Sequence, residues 1–126
     1  MILMDTDILI WYLRGNTKAQ NFIQQQNGFS ISVVTYLELV QGMKNKHELS
    51  LLRKSLRHRN VKILYLDEEI SVKAMFLVEQ YYLSHSLELA DAFIAATALT
   101  HGLVLATGNL KHYSILKDLE LQQFKP

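Results

Sequence analysis

The sequence predicts an α/β fold, a three-layer α/β/α sandwich around a central, mostly parallel sheet. Short apolar or β-branched runs alternate with longer helical patterns along the whole chain. Strands that alternate with helices are joined by crossovers, which place helices on both faces of a parallel sheet. The chain has 126 residues, of which 49% are hydrophobic, enough for one core. We therefore expect a single domain over residues 1–126.

The first five elements follow from local patterns. Ile2–Met4 is a short apolar run that predicts a buried strand. Thr6–Leu13 and Thr17–Gln26 are helical patterns, each followed by a glycine that stops the helix. Phe29–Val34 is β-branched and alternating, which is typical of a strand. Thr35-x-x-Glu38 has the form of a capping box, which predicts a helix from Thr35 to Gly42.

Residues 44–62 carry most of the positive charge. Seven Lys and Arg residues and one Glu lie there, a local charge of +6, whereas the whole chain carries +1. The helix predicted within this segment, His47 to Arg59, has leucines on one face and cations on the other. A basic face on an otherwise acidic chain suits a polyanion such as RNA, and the alternative is a solvated helix face.

The carboxyl-terminal half continues the alternation. Asp67 is a predicted N-cap, and two Glu residues in the following turn complement the dipole of a helix that runs to about Leu83. An Ala-rich helix stops at Gly102. The other predicted elements are a strand at Val61–Leu66, this helix at Leu89–His101, a strand at Leu103–Ala106, a helix at Leu110–Leu116 and a last strand at Glu120–Gln122.

Three carboxylates stand within apolar sequence, namely Asp5, Glu38 and Asp91. Burying a lone charge is costly, so such acids are expected to be paired or metal-bound. Asp5 follows the first predicted strand, Glu38 lies one turn into the helix after the second, and Thr107-Gly108-Asn109 follows the fourth. Because ligands of parallel sheets bind outside the carboxyl ends of the strands, these segments are expected to meet at one edge.

Clustered carboxylates indicate a site for Mg²⁺ or Mn²⁺, and such an ion can activate water for phosphodiester hydrolysis. Each acid also has an ordinary structural explanation. Asp5 or Asp7 could be a helix N-cap, Glu38 the second member of the capping box, and Asp91 a first-turn carboxylate favoured by the helix dipole. These explanations do not account for the apolar neighbours that all three main acids share.

Composition excludes several other classes. The chain has no Cys, which rules out disulfides and thiolate catalysis and is compatible with the reducing cytoplasm. No uncharged apolar run reaches the roughly 20 residues that span a bilayer, and the N-terminus lacks the basic region of a signal peptide. We therefore expect a cytoplasmic protein without a membrane partner.

Four motifs resemble the PIN-domain family, specifically the VapC-type toxin ribonucleases of bacterial type II toxin–antitoxin pairs. They are Met4-Asp5-Thr6-Asp7-Ile8-Leu9-Ile10, Ser32-Val33-Val34-Thr35-Tyr36-Leu37-Glu38-Leu39-Val40-Gln41-Gly42, Ala90-Asp91-Ala92-Phe93-Ile94-Ala95-Ala96-Thr97-Ala98-Leu99 and Leu103-Val104-Leu105-Ala106-Thr107-Gly108-Asn109. Each is weak alone, but four in the family's order and approximate spacing are specific. The resemblance implies a single PIN-like nuclease domain that cleaves RNA with Mg²⁺ or Mn²⁺, forms homodimers and is inhibited by a cognate antitoxin.

The resemblance also assigns residues. Asp5, Glu38 and Asp91 match the family's acidic catalytic and metal-binding positions. Supporting positions fall to Thr6 and Thr107, the hydroxyl residues beside the first acid and after the fourth strand, and to Asp7 and Asn109. Many relatives carry an acid near Asn109 or His112, and here neither is acidic, which favours one metal or weaker affinity. Asp7, where relatives often have Asn or Ser, offers a compensating carboxylate.

Two other functions stay open from the residues. Asp5-Thr6-Asp7 resembles the paired-Asp motif of small phosphohydrolases, although the short chain and the following Ile8-Leu9 disfavour that function. A PIN-like module that binds RNA or protein without catalysis is the other alternative, because Asn109 and His112 stand where an acid would complete the site.

Overall fold

A computed structural model describes residues 1–126 and contains five strands and seven helices. In chain order they are β1 (Ile2–Met4), α1 (Thr6–Leu13), α2 (Thr17–Gln24), β2 (Ser30–Ser32), α3 (Val33–Gln41), α4 (Lys46–His58), β3 (Lys62–Leu64), α5 (Glu68–Tyr81), α6 (Leu89–His101), β4 (Val104–Thr107), α7 (Leu110–Tyr113) and β5 (Leu121–Gln123). The order of strands and helices is the predicted one. None of the helices has the length and apolar composition that a membrane crossing requires.

The five strands form one sheet in the order β3-β2-β1-β4-β5, and every neighbouring pair is parallel. Side chains alternate between the two faces of the sheet. Met4 and Ala106 lie in the core beneath α1 to α4, whereas Leu3 and Leu105 lie in the core beneath α6 and α7. The predicted three-layer sandwich with a parallel sheet is therefore confirmed.

The start of α3 corrects one prediction. The strand expected over Phe29–Val34 ends at Ser32, whose hydroxyl accepts a hydrogen bond from the backbone N–H of Val34 and caps α3. The predicted capping box is wrong, because Thr35 lies buried in the first turn and Glu38 follows it. The β preference of the two valines is overridden by this cap and by packing, as strand propensity often is.

The N-caps of α1 and α5 test the caps predicted from the sequence. Asp5 is the N-cap of α1 and accepts from the Thr6 N–H at 2.8 Å, so the N-cap interpretation of Asp7 is wrong. The predicted Asp67 cap is confirmed by its bond from the Ile70 N–H at 2.8 Å. Gly102 ends α6 in the left-handed conformation, at φ 63°.

The basic helix α4 is tied to its neighbours by two of its cations. Arg59, just past its end, lies over the Tyr12 ring at 5.2 Å and donates to the Tyr12 hydroxyl at 3.1 Å. Arg53 donates to the hydroxyl of Tyr36 at 3.3 Å. The chain then enters β3 at Lys62, so the last turn of α4 lies near the amino ends of the strands. Its orientation toward RNA stays a prediction.

Candidate active site

The carboxyl ends of β1 and β4 place Asp5 beside Thr107. The Asp5 N–H donates to the carbonyl of Ala106 at 2.9 Å, which fixes the two strand ends together. The Thr107 hydroxyl donates to Asp5 Oδ2 at 2.7 Å, while Oδ1 holds the Thr6 N–H. Asp5 is only 6% exposed. The predicted meeting of these strand ends at one edge therefore places a buried carboxylate between two hydrogen-bond donors.

Asp7 lies in the first turn of α1 and contacts the loop after β4. Its Oδ2 accepts the Gly108 N–H at 2.9 Å, whereas its Oδ1 is buried without a hydrogen-bond partner. A Cβ on Gly108 would lie 2.8 Å from Asp7 Oδ2 and 3.4 Å from the carbonyl oxygen of Phe124. Glycine is therefore the residue that lets this loop close on Asp7.

Asp91 enters the same region from the first turn of α6. Its Oδ1 accepts the Tyr113 hydroxyl proton at 3.2 Å, and its Oδ2 lies 3.3 Å from both the Glu88 N–H and His112 Nδ1. Tyr113 is fully buried, and sequence reasoning missed it. The available signal was a phenol three residues after Leu110 in a short helix, because a buried tyrosine hydroxyl needs a partner.

Electrostatics couple these three acids, which we call the aspartate cluster (Asp5, Asp7 and Asp91). Burial raises the pKa of Asp5 to about 7, and the charges of Asp7 and Asp91 add to that rise, against the bonds from Thr107 and Thr6. Burial also raises the pKa of Asp7, with a further contribution from Asp91. Burial and the same carboxylates raise the pKa of Tyr113, so its hydroxyl remains a proton donor.

The second part of the site is the glutamate arm, formed by Thr6, Thr35 and Glu38. The Thr6 hydroxyl lies 2.7 Å from Glu38 Oε1 and 3.0 Å from the Thr35 hydroxyl. Thr6 has one proton, which it donates to the carboxylate, so Thr35 must donate to Thr6. Glu38 is exposed despite its apolar flanks, because the neighbouring Thr35 and Leu39 occupy the buried side of α3.

Asn109 and His112 lie at the rim. The Asn109 N–H donates to the Thr107 hydroxyl oxygen at 3.0 Å, and the Asn109 amide lies 3.1 Å from His112 Nδ1. His112 is thereby half-buried between Asn109 and Asp91. An imidazole and an amide thus occupy this corner of the site, and neither is an acid.

The donor chemistry fits a hard divalent cation. Asp7 Oδ1 is buried and lacks a partner, and the neighbouring carboxylates disfavour the charged form of Asp5, so a cation would relieve both. No three Asp, Glu, His or Cys side chains stand close enough together to enclose an ion by themselves. Mg²⁺ is usually held by one or two carboxylates and keeps several waters, so the other ligands of an ion at this edge would be water molecules.

Comparisons with known proteins show what the chain is similar to. The PIN domain family matches residues 2–116. Ribonuclease VapC10 of Mycobacterium tuberculosis is 33% identical over 124 residues, 95% of this chain and 91% of that protein. Ribonuclease VapC1 of Methanocaldococcus jannaschii is 30% identical over 122 residues, 96% and 85% of the two chains. A toxin-antitoxin complex from Klebsiella pneumoniae contains a chain with TM-score 0.81 and 29% identity, covering 94% of this chain and 95% of that one.

Proposed function

Because this chain belongs to the PIN-domain family and to its VapC ribonucleases, we propose that it is a divalent-metal-dependent endoribonuclease, the toxin of a type II toxin–antitoxin pair. Residues 1–126 would form one nuclease domain. The observation that carries the proposal is the buried aspartate cluster, whose Asp7 Oδ1 lacks a partner, at the carboxyl edge of the sheet. Ligands of parallel sheets bind at that edge.

Asp5 and Asp91 would hold Mg²⁺ or Mn²⁺, with Glu38 as a further ligand or as the group that orients water. When bound, such an ion activates water and neutralises charge on the phosphoryl group. Thr107 and Thr6 fix the Asp5 carboxylate by hydrogen bonds. Tyr113 orients Asp91, Asp7 supports from the α1 side, and Asn109 supports through its amide. These bonds set the positions of the acids before substrate arrives.

The test is cleavage of a mixed-sequence RNA by the purified chain with Mg²⁺, with Mn²⁺ or with a chelator. We expect cleavage that needs a divalent cation and is lost in Asp91→Asn. Asp118→Asn is the matched control, because Asp118 is an exposed acid outside the site. Equal cleavage by Asp91→Asn and the parent would refute the assignment. Turnover of a phosphomonoester without RNA cleavage would favour the phosphohydrolase alternative.

A second copy of the chain is the proposed partner of an exposed apolar face on α5. Met75 and Phe76 are 61% and 65% exposed, and Val72, also exposed, lies one helical turn before Phe76. Apolar patches of this kind mark association surfaces. Phe76→Asp is expected to turn a dimer into a monomer in light scattering. Leu51→Asp, which places the same charge at an exposed apolar residue of α4, is expected to leave the dimer intact. A monomeric parent would refute the homodimer.

The proposed antitoxin site is a groove of about 590 Å³ beside Glu38. Ile10 and Leu13 give it an apolar wall, and its charged lining consists of two cations, Arg14 and Lys44, and two acids, Glu38 and Glu48. A peptide segment held there would cover Glu38 and thereby inhibit cleavage. The product of a short reading frame next to this gene is the candidate, and co-purification that Leu13→Asp abolishes while Leu83→Asp does not is the expected result.

A further inference from the structure

A shallow groove lies between α2 and β5, beside the end of the strand that pairs with β4. It has a volume of about 290 Å³ and is lined by Lys18, Asn21, Gln25, Gln123 and Lys125 above a pair of phenylalanines. The rings of that pair, Phe22 and Phe124, meet edge to face with centroids 5.4 Å apart. We call this surface the lysine groove.

Two hydrogen bonds connect the lysine groove to the site. The Phe124 N–H donates to the carbonyl of Thr107 at 2.8 Å, and the Thr107 hydroxyl donates to Asp5 Oδ2 at 2.7 Å. The Phe124 carbonyl also borders Gly108, whose N–H binds Asp7. The backbone of Phe124, which lines the groove, is therefore one hydrogen bond from Thr107 and two from Asp5, on the β5 side of the sheet.

The chemistry of the groove suits a polyanion with a sugar–phosphate backbone. Its two charged residues, Lys18 and Lys125, are both cations and both exposed, and no acid lines it. The other polar groups are the side-chain amides of Asn21, Gln25 and Gln123, which can donate to phosphate oxygens or accept from ribose hydroxyls. The aspartate cluster repels phosphates, so an RNA strand that crosses it needs nearby cations to bind.

The basic helix α4 is the competing RNA surface, and its contacts make it the weaker candidate. Arg53 and Arg59 are engaged by tyrosine hydroxyls, and the helix ends before the amino end of β3. Lys54 and Arg57 remain exposed on it. The backbone of Phe124, which lines the lysine groove, bonds to Thr107, whereas no residue of α4 has a hydrogen bond to Thr107 or to the aspartate cluster.

We propose that the lysine groove binds the backbone phosphates of the RNA segment that flanks the scissile bond. This inference rests on the proposed ribonuclease function. Lys18 and Lys125 contact phosphates as point charges, and the amides align the strand. The groove thereby directs one side of the substrate across Asp5, while the groove beside Glu38 receives the other side.

The test measures binding of a fluorescein-labelled single-stranded RNA by anisotropy, in an Asp91→Asn background that leaves the RNA intact. Lys18→Gln/Lys125→Gln is compared with Lys54→Gln/Arg57→Gln, which removes the same charge from α4. We expect the first pair to weaken binding roughly tenfold at low salt and to reduce the slope of log affinity against log salt by about 1.4. The second pair should change affinity less than about threefold.

Cleavage by the two pairs in the otherwise unchanged chain is the second readout. The lysine-groove pair should raise KM with kcat nearly unchanged, because the lysines bind RNA without touching the reacting atoms. Unchanged affinity in this pair, with a loss in the α4 pair, would overturn the inference and uphold α4 as the RNA surface. A parent chain that cleaves RNA while both pairs bind normally would overturn this inference and leave the proposed function standing.

Discussion

The aspartate cluster and the glutamate arm meet at the end of β1 but hold negative charge in opposite ways. Asp5 is 6% exposed, and its pKa rises to about 7 because burial and two nearby acids disfavour its charged form. Glu38 is exposed and accepts one hydrogen bond from Thr6. The aspartate cluster therefore holds carboxylates whose charged forms repel one another, as cation-binding and catalytic sites do. The glutamate arm holds a solvated carboxylate in position by one hydrogen bond.

The largest expected effect separates the two parts by activity. Asp5→Asn and Asp91→Asn should each lower kcat for RNA cleavage by about 10² to 10³-fold, because each removes a charge proposed to hold the metal. Glu38→Gln should cost about tenfold, since the amide oxygen still accepts from Thr6. Initial rates at saturating RNA measure all three. Equal losses would mean that Glu38 binds the metal as directly as the aspartates.

The part played by each acid was only partly predictable from sequence. Asp5 and Thr107 follow buried strands, and the parallel-sheet rule places the ends of such strands together. Asp91 and Tyr113 are 22 residues apart, and their contact depends on how β4 and the next loop return the chain to α6. No periodicity encodes that turn.

Glu38 shows the other limit. The exposure of Glu38 depends on how α3 packs, and α3 begins after Ser32 rather than at Thr35. Thr35 and Leu39 then face the core, and Glu38 faces solvent. The sequence pattern pointed to Thr35 as the cap, and the hydroxyl of Ser32, three residues earlier, caps the folded helix instead. Helix boundaries carry this uncertainty in general. The fold was therefore more predictable than the orientation of single side chains.

The second prediction concerns pH and stability without metal. The folded pKa of Asp5 lies above its ordinary value of 3.8, so the folded state binds the proton more tightly. The resulting stabilisation is complete below about pH 4 and is lost as pH rises to about 7, an effect of about 3 kcal/mol between pH 5 and pH 8. Asp7 acts in the same direction.

Urea unfolding of the parent and of Asp5→Asn at pH 5 and pH 8, with a chelator present, measures this effect. The parent should lose stability toward pH 8, and Asp5→Asn should lose much less. Glu38→Gln is the control from the glutamate arm and should follow the parent. Added Mg²⁺ or Mn²⁺ should restore the parent at pH 8. If the free energy of unfolding depended on pH in the same way in the parent, Asp5→Asn and Glu38→Gln, the aspartate cluster would not differ from the glutamate arm in this respect.

The third prediction tests the close approach of Gly108 to Asp7. Gly108→Ala would place a Cβ 2.8 Å from Asp7 Oδ2, so the loop or the carboxylate must move. We expect a loss of about 1–3 kcal/mol in the free energy of unfolding, together with weaker divalent binding in calorimetry. Gly42→Ala is the control, because its Cβ would lie 3.4 Å from the nearest atom. Unaltered stability and metal affinity in Gly108→Ala would show that the aspartate cluster tolerates displacement.

The smallest effect is expected in the glutamate arm. Thr35→Val removes the proton that Thr35 gives to Thr6 but leaves the bond from Thr6 to Glu38 at 2.7 Å, so it should cost about 1 kcal/mol of stability. Thr6→Val removes both bonds and leaves Glu38 unheld, so it should cost more and lower kcat several-fold. Thr35→Ser keeps the hydroxyl and should behave as the parent. Equal stability losses in Thr35→Val and Thr6→Val would reverse the donor order, with Thr6 giving its proton to Thr35, and Glu38 would then depend on solvent alone for its orientation.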